Sequence, residues 1–270
     1  MWATIKKLGL FCLIITMLFG CNKEKSVETS IKVGTIAGPE TEMMRMAKAY
    51  AQEKYKLNID IVEFHDYATT NVVVADKSID ANASQTIQFF EQWKKNTHND
   101  TLVTVANTFI YPMGLYSQKI KNVSELPAGA RVAIPNDPSN EERALLLLEK
   151  AGLITLKKNS TGSLRTAAIE ANPLKLEILT LAPAQLPRTL SEVSLAVINT
   201  NYALPAGLSP TKDAIFVEGK DSPYANIIIT RKELENDQRI AQLIEAYHSA
   251  AVVDKAKVLF KDQVIPAWGK

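Results

Sequence analysis

Asn140 and Arg143 are the side chains whose types and spacing point most directly to chemistry. An amide followed three residues later by a guanidinium puts both on one side of a helix. They close the run Pro135-Asn136-Asp137-Pro138-Ser139-Asn140-Glu141-Glu142-Arg143. An apolar, strand-like stretch at 131–134 leads into it and a strong helix pattern at 144–151 leads out. The first turn of a helix carries unpaired N–H groups that attract anions, and arginine offers a fork that matches a carboxylate. This stretch is therefore expected to hold the carboxylate end of a small ligand. Two caps are open for the helix: Asp137 with Pro138 at the first helical position, or Ser139 with Glu142 three residues on.

Other polar side chains fall at the ends of strand-like runs: Asp66-Tyr67, Asn82, Asn107-Thr108, Asn199-Thr200 and Asn226. In open α/β sheets ligands bind outside the carboxyl ends of strands. Asparagine supplies both donor and acceptor, so it can face either end of a zwitterion. Enzymatic readings find less support. His65, His98 and His248 have no metal-ligand spacing and lie in no nucleophile motif, and there is no glycine-rich phosphate loop. His98 and His248 read as solvated helix-end residues, while His65, after a strand, could border a cleft. Asp60, Asp66 and Asp80 read as strand-end residues. No enzyme activity, metal or cofactor is expected.

The elements that must position these groups alternate. Strands are expected at 31–36, 57–64, 78–81, 102–106, 131–134, 176–181, 194–198, 216–217 and 227–230. Helices are expected at 41–55, 71–75, 85–95, 144–151, 164–171 and 189–193, with one long amphipathic helix at 237–253 and a last one at 254–260. That order implies βαβ units and a mostly parallel sheet. The methionines of 43–46 read as core filler.

The chain has 270 residues, 46% hydrophobic and 22% charged, enough for one large or two ordinary domains. Its net charge of +2 is that of Lys6 and Lys7, so the remainder is neutral and a nucleic-acid partner is not expected. Those lysines precede a short apolar segment at 8–19, the pattern of a secretory signal. Leu18-Phe19-Gly20-Cys21 resembles the bacterial lipobox, although Phe19 replaces the usual small residue. Cys12 would leave with the signal and Cys21 would carry lipid, so the folded body has no cysteine and no disulfide. The polar 22–30 reads as a tether.

From Ile31 onward the chain resembles the NlpA/MetQ family of lipoproteins, the methionine-binding components of bacterial ABC importers. The resemblance is carried by Asn107-Thr108-Phe109-Ile110-Tyr111-Pro112, Val132-Ala133-Ile134-Pro135-Asn136-Asp137-Pro138-Ser139-Asn140, Ala196-Val197-Ile198-Asn199-Thr200, Ala182-Pro183-Ala184-Gln185-Leu186-Pro187-Arg188 and Ser222-Pro223-Tyr224. It implies an α/β periplasmic-binding-protein fold, type II-like, with two lobes joined by a two-crossing hinge. The implied division is a signal at 1–20, a linker at 21–30, lobe 1 at 31–108 plus 226–270 and lobe 2 at 109–225. It also implies that Asn140 and Arg143 hold the carboxylate, that Asn199 and Asn226 hold the other backbone groups of an amino acid, and that Tyr67 lines the pocket.

One segment departs from the family. In Asp80-Ala81-Asn82-Ala83-Ser84-Gln85-Thr86-Ile87-Gln88-Phe89, Ser84, Thr86, Gln88 and Phe89 stand where phenylalanine, histidine, proline and tyrosine are usual. Asn82, Ser84, Thr86 and Phe89 are thus expected to form a remodelled side-chain wall, with about 1–3 kcal/mol of burial at stake. The implied function is capture of an amino acid, L-methionine first, for an ABC permease and ATPase. The protein would be a monomer held to the cell membrane by its lipid, facing the periplasm or exterior. The alternatives are a different amino acid or short peptide, or a surface interaction protein that has lost transport.

Overall fold

The computed structural model describes residues 29–158, 164–219, 221–261 and 264–269. The chain opens with β1 (Ser30–Ile36), α1 (Pro39–Tyr55), β2 (Asn58–Phe64), α2 (Ala68–Ala75), β3 (Ala81–Thr86), α3 (Ile87–Thr97) and β4 (Leu102–Ile110). It then crosses into a second sheet with β5 (Met113–Tyr116), β6 (Arg131–Pro135), α4 (Pro138–Lys150), the small ribbon of β7 (Thr155–Leu156) and β8 (Ile169–Ala171), β9 (Glu177–Leu181), β10 (Leu195–Asn199), α5 (Thr200–Ala203) and β11 (Ala214–Val217). It returns through β12 (Ala225–Arg231), α6 (Gln238–Tyr247), α7 (Ala250–Phe260) and β13 (Ile265–Pro266). The first sheet runs β13-β4-β12-β3-β1-β2 and the second β11-β5-β10-β6-β9.

Both sheets are mixed rather than mostly parallel, and the crossings are the reason. β1 is parallel to β2 and β3, and β6 is parallel to β9 and β10. β12 and β5 are the strands that enter each sheet from the other one. They start at the cleft while the parallel strands end there, so β12 runs antiparallel to β3 and β4, and β5 antiparallel to β10. This direction rule puts Asn226, at the start of β12, beside Thr86 at the end of β3. It likewise puts Met113 beside Asn199.

Each sheet is buried on both faces, as apolar runs such as Ile227-Ile228-Ile229 require. Ile228 joins Met43, Met44 and Ala47 of α1 with Leu243 and Tyr247 of α6, whereas Ile227 and Ile229 join Val74 and Phe90 on the other face. The methionines of α1 are core, as expected. In the second sheet Val132 and Ile134 meet Leu145 and Leu148 of α4, and Ala133 meets Leu186 and Leu190 of the 3-10 helix Pro183–Ser191.

Several elements differ from expectation, among them the helix expected at 189–193, which is the 3-10 helix Pro183–Ser191. The third strand is Ala81–Thr86, not 78–81, and α3 starts only at Ile87. Its polar residues suggest a loop, but β1 and β12 pair with it from both sides. The helix expected at 164–171 is one 3-10 turn, Thr166–Ala168, followed by β8 paired to β7. The boundary between the two C-terminal helices lies at His248-Ser249, between α6 and α7, rather than at 253–254. His248 is not simply solvated. Its ring stacks on Trp268 at 4.1 Å, and its Nε2–H donates to the Asn107 carbonyl at 2.7 Å.

Gly38, between β1 and α1, has φ +123, and a Cβ there would lie 3.0 Å from Pro205 Cγ of the second sheet's lobe. Gly38→Ala should therefore lower stability by about 1–2 kcal/mol. A thermal melt should show a drop of about 3–6 °C. An unchanged melting temperature would mean that this turn relaxes freely.

Candidate functional site at the inter-lobe cleft

The cleft between the sheets has about 340 Å³ of space between its lining atoms, part of it open to solvent. Its walls include Tyr67, Ser84, Thr86 and Phe89 from the first lobe, Asn226 at the crossing, and Asn140, Arg143 and Asn199 from the second. All eight were nominated by the sequence. Asn82 stands one layer behind, its Oδ1 accepting from Ser84 Oγ at 2.6 Å. Cys21 lies outside the described residues.

The α4 end of the site is built by Asp137, the first of the two capping possibilities. Its Oδ1 accepts from the Asn140 backbone N–H at 2.9 Å, with Pro138 opening the helix. Both carboxylate oxygens also take the Asn140 side-chain amide at 3.0 Å. Asn140 Oδ1 in turn accepts from Asn199 Nδ2 at 2.7 Å, which ties the end of β10 to the start of α4. Burial pushes the Asp137 carboxyl up from its ordinary value against these hydrogen bonds.

Arg143 is not the open fork expected of it. Glu218 pairs with it in two-toothed fashion: Nε donates to Oε1 at 2.9 Å and Nη2 donates to Oε2. Nη2 also donates to the Tyr111 carbonyl at 2.8 Å, and the guanidinium lies over the Tyr224 ring at 4.4 Å. Glu218 Oε2 holds the Met113 N–H at 3.0 Å as well, so it pins the first crossing to α4. Nη1 makes no hydrogen bond among the described residues. The arginine thus offers one edge rather than a free fork, beside the N-terminus of α4.

The opposite wall is aromatic and already satisfied in its polar atoms. Tyr67 packs edge-on against Phe89 at 5.8 Å and Tyr202 at 5.1 Å. Thr86 Oγ1 caps α3 by accepting from Phe89 N–H. Gln85 and Asn71 exchange two side-chain hydrogen bonds, at 2.8 and 2.5 Å. The arrangement suits a ligand with a charged head at α4 and an apolar tail at Tyr67.

Thr200, read with Asn199 as a polar strand end, also lines the cavity, as do Gln85, Tyr111 and Asn201, which were not nominated. Asn201 could have been found, since it follows Asn199 in one polar run. Glu218 had no local signal. Nor had Glu40, at the start of α1, which accepts from Asn226 Nδ2 at 2.9 Å. Burial pushes the Glu40 carboxyl up to about 8. Tyr67 and Tyr111 are likewise pushed well above the usual phenol range by burial. Among the described residues no group of three or more His, Cys, Asp or Glu side chains could hold a metal.

Comparison with known proteins agrees with this architecture. Residues 31–268 match the family described as NlpA lipoprotein. The D-methionine-binding lipoprotein MetQ of Salmonella typhimurium is 43% identical over 254 residues, 93% of each chain. An ABC transporter periplasmic substrate-binding protein from Coxiella burnetii is 50% identical, with a TM-score of 0.84 over 88% of this chain and 100% of that one. A nutrient-binding protein from Burkholderia cenocepacia, solved with methionine bound, is 43% identical, with a TM-score of 0.86 over the same shares. The two-lobed α/β fold is that of the periplasmic substrate-binding proteins, and the chain belongs to the NlpA lipoprotein family.

Proposed function

We propose that this protein captures a free amino acid, methionine, between its lobes and hands it to the permease and ATPase of an ABC importer. One observation carries this reading. The cleft joins a polar end, formed by the α4 N-terminus, Arg143 Nη1, Asn199 and Asn226, to an aromatic end, formed by Tyr67 and Phe89 with Tyr202 packed behind Tyr67. A zwitterion with an unbranched apolar tail fits that polarity. Nothing in the reading requires bond making or breaking in the ligand.

The altered wall gives a second reading, a more polar amino acid or a short peptide held by Ser84 and Thr86. Ser84 Oγ, which donates to Asn82, could accept from such a ligand, and Thr86 Oγ1, which accepts from the α3 N-terminus, could donate to it. The 1–20 signal, the Cys21 lipid and the 21–30 tether belong to the same proposal, with a monomer held at the cell membrane and facing outward. The family's lipoprotein character supports an anchor outside the cytoplasm. Among the described residues no helix is long and apolar enough to cross a membrane.

The test is calorimetry on protein stripped of ligand by unfolding and refolding. Methionine should bind with micromolar or tighter affinity, and both enantiomers should be titrated. Mass spectrometry of the released ligand should identify methionine. Absence of heat with every amino acid would overturn the reading and favour a surface interaction role.

A further inference from the structure

The cleft contains an acid without a counter-ion. Glu40 is 1% exposed and sits in the first turn of α1. Its Oε1 is held by Asn226, but its Oε2 is buried without a hydrogen-bond partner among the described residues. The Asn201 amide lies against the same carboxyl. Asn201 and Asn226 both line the cavity, so Glu40 stands one side chain behind the wall. Two acceptors on residues lining the same cavity are also orphaned, Asn201 Oδ1 next to this carboxyl and Asn199 Oδ1. Orphaned buried acceptors are rare and call for a donor. An ammonium group brings three N–H donors and a positive charge.

The charges around the site say where that ammonium belongs. The cleft's own cation, Arg143, is already paired with Glu218. The groups that act on Glu40 carry no positive charge. Tyr67 and Tyr202 face it from the cleft, Tyr111 from the crossing and Tyr247 from α6. Burial keeps all four phenols protonated above neutral pH. The amides of Asn201 and Asn226 and the Ile36 backbone support its charged form, yet burial prevails. Asp137, across the cleft on α4, is tied to Asn140.

We propose that Glu40 is the counter-charge for the ligand's ammonium group, and that capturing the ligand expels the Glu40 proton to solvent. This rests on the reading of the cleft as an amino-acid site. The step balances: an uncharged carboxyl and a dissolved R–NH3+ become a buried carboxylate, a bound ammonium facing it across the Asn201 and Asn226 amides, and one released H+. Only the Glu40 O–H bond breaks. An ammonium in the cleft lowers the carboxyl's affinity for its proton, so below about pH 8, where burial keeps Glu40 protonated, binding must tighten as pH rises.

The test is titration of the detergent-solubilised full chain, stripped of ligand, with L-methionine in two buffers of different ionisation enthalpy. About one proton should be released per methionine at pH 6.5, and Kd should fall by up to tenfold per pH unit between pH 5.5 and 7.5. Glu40→Gln keeps the shape and the Asn226 contact but cannot release a proton. Its release should fall to near zero, its pH slope should flatten, and its Kd at pH 7.5 should rise about tenfold or more. The amine-free analogue 4-(methylthio)butanoate should bind the native protein with no proton released. Methionine binding without proton release overturns this inference and leaves the amino-acid reading standing. Release that persists in Glu40→Gln also overturns it. Absence of methionine binding overturns both.

Discussion

Arg143→Ala should weaken methionine binding about 100-fold or more and lower the melting temperature by about 10 °C. Two separate losses act. The binding loss is that of Nη1, the edge of the guanidinium left over beside the α4 N-terminus. Truncating one side of a buried, hydrogen-bonded charge pair typically costs 2–5 kcal/mol, or about 30-fold to several-thousand-fold in affinity. The stability loss comes from Glu218. Its carboxylate is mostly buried against Arg143, which is itself 4% exposed, and without the arginine it is a buried charge lacking a partner. Breaking such a pair costs about 3–5 kcal/mol, and each kcal/mol is worth about 2–4 °C in a chain of this size. The double variant Arg143→Ala with Glu218→Gln separates them. It should recover most of the melting temperature and none of the affinity. Recovery of affinity in the double variant would show that Glu218, not Arg143, controls the ligand's carboxylate.

What the sequence could reveal about this site follows from where each signal lies along the chain. The α4 end was legible because its parts are neighbours: a strand run, Asp137 and Pro138 as cap and first turn, Asn140 and Arg143 one turn apart. Tyr67, Asn199 and Asn226 were legible as polar residues at strand ends. Glu218 and Glu40 were not, because their meaning is a pairing between distant segments: Glu218 is 75 residues from Arg143, and Asn226 is 186 from Glu40. β3 was misplaced for a related reason. Ala81-Asn82-Ala83-Ser84-Gln85-Thr86 has neither β-branched alternation nor apolar continuity, and its strand form is imposed by partners on both sides. Most of its buried polar groups then pair off, Ser84 with Asn82 Oδ1 and Gln85 with Asn71, although Asn82 Nδ2 has no partner among the described residues. Propensity is a weak prior wherever both edges of a strand are filled. The boundary between α6 and α7 was placed about five residues too late because the apolar spacing continues through His248-Ser249. Only the seat that Trp268 and Asn107 provide for His248 explains the bend.

Tyr67→Ala should weaken methionine binding by about 30–200-fold, whereas Tyr67→Phe should stay within about threefold. The ring is 9% exposed and touches Phe89 in its own lobe and Tyr202 in the other. Burying a large apolar side chain contributes about 1.5–3 kcal/mol, and edge-on aromatic pairs about 0.5–1.5 kcal/mol more. Not all of that is lost on truncation, because the walls can partly collapse, so about 2–3 kcal/mol is the expected change. The hydroxyl matters little: its one contact with the second lobe is a long 3.4 Å bond from Asn201 Nδ2. Ser84 makes the ring more important here. Where the resembling sequences carry phenylalanine, this chain has a small residue whose Oγ is spent on Asn82, and Thr86 is spent on capping α3. Ser84 offers no apolar surface in place of the ring, although its Oγ can still accept and Thr86 Oγ1 can still donate a hydrogen bond. The apolar end of the cleft therefore rests on Tyr67 and Phe89 of one lobe, with Tyr202 of the other lobe packed against Tyr67. A ring shared across the cleft both covers the ligand's tail and holds the lobes together on it, so its removal should raise the off-rate more than it lowers the on-rate. An unchanged affinity in Tyr67→Ala would place the ligand's tail elsewhere and remove the case for methionine over a more polar amino acid.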